Sequence, residues 1–172
     1  MKLHSLISTG LLVLLASAVT AAPARWRAAT SQELKRLIPA RAPVVKENIE
    51  TELRSASGVT DGKGKFIAGV VMITAGYSAE GKYSHYFINQ VALKLGDLNL
   101  PAGEYVFGYQ RNGSDTIKVS FYKASSGDAI GDVEAHINRK RNLVTSLLIT
   151  TPQSGKGTLQ VGRFVFEYRL SE

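Results

Sequence analysis

Residues 104–123 read EYVFGYQRNGSDTIKVSFYK. Tyr105, Phe107, Tyr109 and Arg111 fall on one side of an alternation, and Glu104, Val106, Gly108 and Gln110 on the other. That is the two-residue period of a β-strand. Asn112-Gly113 follows, and then Thr116 to Lys123 alternate again. Asn and Gly accept the positive φ angles of a tight hairpin turn, so this stretch predicts two antiparallel strands joined at Asn112-Gly113.

The same grammar extends in both directions. Upstream, Phe66 to Thr74 is a β-branched apolar run, and Lys82 to Asn89 and Gln90 to Leu95 are further strand candidates. Asp61-Gly62-Lys63-Gly64 reads as a turn. Downstream, Ser125 to Asp128 turns into a strand at Ala129 to Asn138. Arg139 to Asn142 form a basic turn before Leu143 to Thr150, Pro152 to Gly157 form a loop, and Leu159 to Leu170 close the chain. Val45, Ile49 and Leu53 lie four apart, which suits a helix, but they also alternate with polar residues, which suits a strand. Continuation into Ser55 to Thr60 without a helix cap favours the strand for 44–54. Thr30-Ser31-Gln32-Glu33 fits a capping box, Leu34, Leu37 and Ile38 follow at helical spacing, and Pro39 stops the helix. The expectation is an all-β chain: a single antiparallel β-sandwich or closed β-barrel of eight or nine short strands, preceded by a short helix at 31–38.

Leu100-Pro101-Ala102-Gly103-Glu104-Tyr105-Val106 resembles the hook that starts a strand in many exported bacterial β-sandwich domains, transthyretin-like ones among them. The resemblance implies a sandwich and carries over no functional residue.

The first residues set a compartment. Lys2 gives a positive start, Leu6 to Val19 are apolar with small interruptions, and Val19-Thr20-Ala21 offers small residues at a cleavage point. This is the layout of a secretory signal peptide over 1–21, cut after Ala21 or Ala22. The run falls short of the roughly 20 apolar residues that span a bilayer. The expected division is therefore signal peptide 1–21, leader 22–43 holding the helix, and β domain 44–172, secreted or periplasmic, with no transmembrane segment once the signal is gone. About 150 residues remain, enough for one domain with a real core.

Cysteine is absent, which excludes disulfides, lipid attachment through a terminal Cys, and thiolate chemistry. Loss of Lys2 takes the formal charge from +7 to +6. A basic exported protein can meet anionic phospholipid, lipopolysaccharide, acidic polysaccharide or nucleic acid, but the plainer reading is that the charges are simply solvated. Nucleic acid is not expected, because Arg139-Lys140-Arg141 is the one tight basic run.

Two constellations can carry chemistry. Tyr105, Phe107, Tyr109 and Arg111 form an aromatic stripe that either stacks on a ligand or fills the core. The facing side, with Gly108 and Val106, is too small to build a core alone, so the core reading leads. Phe164, Phe166, Tyr168 and Leu170 make a second, clearer core stripe, with Arg163, Glu167 and Arg169 opposite. Asp132, Glu134 and His136 share one strand face and can offer ligands to a divalent ion, with His85 as a fourth. Same-face neighbours stand about 6.5–7 Å apart, too far for one strand to wrap an ion, so a solvated polar face is the plainer reading. Gly62-Lys63-Gly64 and Gly155-Lys156-Gly157 lack phosphate-loop spacing, and no nucleophile elbow occurs. No cofactor is implied. The functional expectation is an exported non-catalytic β domain that binds a partner protein or glycan at the cell envelope. The alternatives are a metal-dependent hydrolase using Asp132, Glu134 and His136, and a barrel carrying a small apolar ligand.

Overall fold

The computed structural model describes residues 25–79, 82–139 and 144–171. The expected signal peptide and most of the basic turn at 139–142 lie outside them. Strands dominate, all pairing antiparallel, with one helix among the described residues. In chain order the elements are β1 (Arg27–Ala28), α1 (Ser31–Leu37), β2 (Arg41–Val44), β3 (Glu47–Thr60), β4 (Phe66–Met72), β5 (His85–Asn89), β6 (Leu93–Leu95), β7 (Leu98–Leu100), β8 (Gly103–Arg111), β9 (Thr116–Lys123), β10 (Ala129–Ile137), β11 (Thr145–Ile149), β12 (Lys156–Gly162) and β13 (Phe164–Leu170). The sheet runs β1-β3-β4-β5-β8-β9-β10-β13-β12-β11 and curls into a half-barrel.

The helix begins as its sequence dictates. Glu33 N–H donates to Thr30 Oγ1 at 3.2 Å, and the Glu33 carboxylate accepts Thr30 N–H at 2.8 Å. Two of the helix's orphan donors are thereby satisfied. Ile38 is already extended at the C-cap, and Leu34 is buried against the sheet.

Residues 44–54 hold a hairpin rather than one strand: Val44 ends β2, Val45 and Lys46 turn, and β3 starts at Glu47, while β2 reaches back into the stretch expected as leader. Among the described residues thirteen strand segments stand where eight or nine were expected. One reason is the closing run, which splits at Gly162. Val161 pairs with Phe164, and Gly162 takes φ 60° at the first position of the two-residue turn, the place a type II′ hairpin reserves for glycine. The loop at 152–157 also shortens, because β12 begins at Lys156.

β3 carries a long bulge. Glu52 pairs with Val71 and Ser57 with Gly69, so the residues between Glu52 and Ser57 face Val70 alone. Ser55 Oγ accepts Val71 N–H at 2.9 Å and replaces a lost ladder bond. The bulge lets one strand serve two cores. The inner core, within the curl, holds Phe87, Phe107, Phe121, Leu159, Phe166 and Tyr168. The outer core lies beneath α1 and β2, where Leu34, Ile38 and Val44 cover Val70, Tyr86 and Val106. Burying each such large side chain is worth roughly 1.5–3 kcal/mol.

Side chains reach across the gap of the half-barrel. Strand β11 pairs with β12, and on its other side Ile149 N–H donates to Ser57 Oγ of β3 at 2.9 Å. Leu147 seats over Gly69 of β4, where an added Cβ would meet it at 2.9 Å. The hook at 100–103 is pinned as well: Asn89 Nδ2 and the Tyr105 hydroxyl each donate to Pro101 O at 2.8 Å.

Candidate functional site

The aromatic stripe of β8 passes from core to solvent. Tyr105 is 4% exposed and Phe107 fully buried, while Tyr109 is 48% exposed. Arg111 is exposed too, its guanidinium 5.9 Å from the Phe164 ring. The stripe is therefore core at Tyr105 and Phe107, and only its last two residues reach the rim. A ring platform of four side chains does not form.

His85 belongs to the inner core. It is 3% exposed and stacks on Phe107 with ring centres 4.5 Å apart. Ser146 O, an acceptor only, lies 3.2 Å from Nε2, so Nε2 carries the proton. Nδ1 then accepts the Ser84 hydroxyl at 2.8 Å. Burial pushes the imidazole pKa down to about 4, so the ring is neutral at pH 7. Ser84 and His85 thus touch as a nucleophile and base would. An imidazole of that pKa is too weak a base to take a serine proton near neutrality.

Asp132, Glu134 and His136 are exposed on the outer face of β10. Asp132 sits 3.5 Å from Lys118, and Glu134 lies 3.4 Å from His136 and accepts Asn112 Nδ2 at 3.1 Å. His85 faces the interior, so the structure does not bring the four together. Among the described residues no three His, Asp or Glu side chains gather at metal-binding distance.

An opening lies where β10 and β13 part. Asn138 N–H donates to Arg163 O at 2.8 Å, and His136 pairs with Val165. Hydrogen-bonded positions recur every second residue in an antiparallel pair, so the next would be Glu134 opposite Glu167. The ladder stops there. Two carboxylates directly across a sheet repel. Glu134 turns to His136, and Glu167 accepts Arg169 Nε at 2.7 Å. Beyond the break β13 pairs with β6 instead, and the β6–β7 turn points into the fork. A groove of about 650 Å³ results, floored by Val133 and Phe166 and rimmed by Glu134, His136, Glu167 and Lys94. A second depression of about 490 Å³ lies beyond Thr158 and Glu167, lined by Thr150, Thr151, Gln153 and Gln160.

Glu134 and His136 were legible as candidates, whereas Lys94 was not. Its neighbour Arg169 is distant in sequence, and only the β13–β6 pairing brings them together. The signal available was the exposed face of the last strand, where Glu167 and Arg169 alternate with the core aromatics. Compared with known proteins, the chain matches no family model, no curated protein and no solved structure.

Proposed function

We propose that the mature chain is an exported, non-catalytic binding module of the cell envelope that recognises a partner protein or polysaccharide through its outer surface. The observation that carries this reading is the filled interior. Phe87, Phe107, Phe121 and Phe166 meet in edge-on and tilted pairs at 5.1–6.4 Å. That packing speaks against a carrier of apolar ligand, because the space such a ligand needs is occupied. The half-barrel is read as a barrel that β11 closes through side chains. The partner class follows from the grooves, which open on the outer faces of β10, β12 and β13 and set polar side chains around a largely apolar surface. The first 21 residues support export, and among the described residues no helix is long and apolar enough to cross a membrane.

The test is to produce the full chain with its leader, recover it from the envelope fraction, and sequence its N-terminus. The expected start is Ala22 or Pro23. The recovered protein is then used to capture components of an envelope extract. Retention of residues 1–21, or capture of neither protein nor polysaccharide, would sink this reading.

A further inference from the structure

We infer that the outer face of β12, β13 and β6 is a binding site for an acidic saccharide chain, with an anionic group seated on Lys156, Arg169 and Lys94. This deepens the binding-module reading and rests on it. The strand register makes the case. Lys156 pairs with Arg169 across β12 and β13, and Arg169 pairs with Lys94 across β13 and β6. Lys94 and Arg169 stand exposed between apolar neighbours that turn inward, and Lys156, the exposed first residue of β12, is followed by the buried Gly157, so all three cations project outward in one row. Directly paired residues stand about 4.5–5.5 Å apart at Cβ, and like charges at that spacing repel. A row of three costs the fold stability unless something negative lies across it. Glu167 engages Arg169. Neither Lys94 nor Lys156 has an acidic partner among the described residues.

The surroundings specify the rest of the ligand. On one side lies the depression lined by Thr150, Thr151, Gln153 and Thr158, a surface of hydroxyls and amides. On the other, Glu134 and Glu167 offer carboxylates that accept hydroxyl protons. Hydroxyls and amides on one flank of the cation row and carboxylate acceptors on the other, Asp97 among them, suit the hydroxyls of a sugar chain whose own carboxylate or phosphate sits on the row. A lipid-facing surface would present apolar side chains. The exposed large apolar residues, Val45, Ile73, Tyr109 and Val144, all lie off β6, β12 and β13.

The experiment measures binding of the mature chain to polygalacturonate, to neutral dextran, and to phosphatidylglycerol vesicles. It compares the wild type with Lys94→Gln/Lys156→Gln. The control is Lys35→Gln/Lys65→Gln, which removes the same charge from α1 and the β3–β4 turn. The row variant is expected to bind polygalacturonate at least tenfold more weakly. The control should stay within twofold, and dextran and vesicles should bind poorly. Relieved repulsion should leave the row variant melting no lower than wild type, which separates lost binding from lost folding. Equal weakening of both variants, equal binding of dextran, tighter binding of vesicles, or no binding of polygalacturonate would each overturn the acidic-saccharide site. The envelope-capture experiment stands apart from all four outcomes, so the site can fail while the binding-module reading survives.

Discussion

Val45 shows what one residue can reveal. It takes φ 56°, a left-handed conformation that a β-branched side chain rarely adopts, and it is 47% exposed. Val44 pairs with Glu47, so Val45 and Lys46 form the whole turn of the β2–β3 hairpin. Positive φ at the first turn position is a glycine's task. Strain of this type costs of order 1–3 kcal/mol, partly offset in the glycine variant by greater chain entropy in the unfolded state. Val45→Gly should therefore stabilise the protein by about 1 kcal/mol, raising the melting temperature by roughly 2–4 °C. A lower melting temperature would show that the valine's packing near Gly127 outweighs its backbone strain. Nothing in the sequence marks Val45, because the strain arises from loop length and pairing rather than from residue type. The Asp132, Glu134 and His136 face was readable for the opposite reason. Its alternation with Val133 and Ala135 is local, and the structure keeps that alternation as outward and inward faces.

At the scale of elements, local signals were the reliable ones. The β8–β9 hairpin falls where Asn112-Gly113 placed it, though the connection runs from Asn112 to Asp115 and neither Asn112 nor Gly113 takes the positive φ of a two-residue turn, and β9 spans Thr116 to Lys123 as its alternation indicated. Both depend on neighbours a few residues apart. What the sequence did not disclose is non-local: the bulge in β3, the fork between β10 and β13, and the use of both faces of β3 to β8 to bury two cores. A strand buried on both faces loses the alternation that identifies it, as β5 shows with all five residues buried. The fork gives a test of the charge argument. If repulsion between Glu134 and Glu167 stops the ladder, Glu134→Thr should let it continue by one hydrogen-bonded pair. Lys118 would keep Asp132 as its partner. Amide exchange at residues 134 and 167 should slow, with a gain of a few tenths to about 1 kcal/mol in stability. Unchanged exchange would mean that the β6–β7 turn, acting as a wedge, holds the fork open.

At the scale of the whole molecule, side chains bridge β11 to β3, β4 and β5 across the gap of the half-barrel, a seam that acid should weaken. Strand β11 reaches β3, β4 and β5 through Ser57, Leu147 over Gly69, and the bond from His85 to Ser146 O. Of the described groups around His85, only the Tyr109 phenol is titratable, its ring centre 6.2 Å away. No carboxylate is there to stabilise an imidazolium. The folded pKa is about 4, against 6.5 for a free imidazole, so the unfolded chain takes up the proton first as pH falls. The His85 contribution is therefore complete above pH 6.5, is lost between 6.5 and 4, and falls no further below 4. At 1.36 kcal/mol per pKa unit, its full size is about 3 kcal/mol. Glu33 behaves differently. Arg27 and the Thr30 N–H hold its carboxyl at about 2, so its stabilisation is present above its usual pKa of 4.5 and fades only below it. The two windows separate. Urea midpoints measured from pH 8 to pH 4 should fall mainly below 6.5 in the wild type. In His85→Gln, which keeps a side-chain donor but cannot titrate, the curve should be nearly flat over that range, from a lower starting value. If the variant's midpoint falls with pH as steeply as the wild type's, His85 is not the acid-sensitive element of the seam. If the flattening appears, hydrogen exchange at pH 5 should place the first opening at the β11 amides, because β11 is held on one side by single bonds rather than by a ladder.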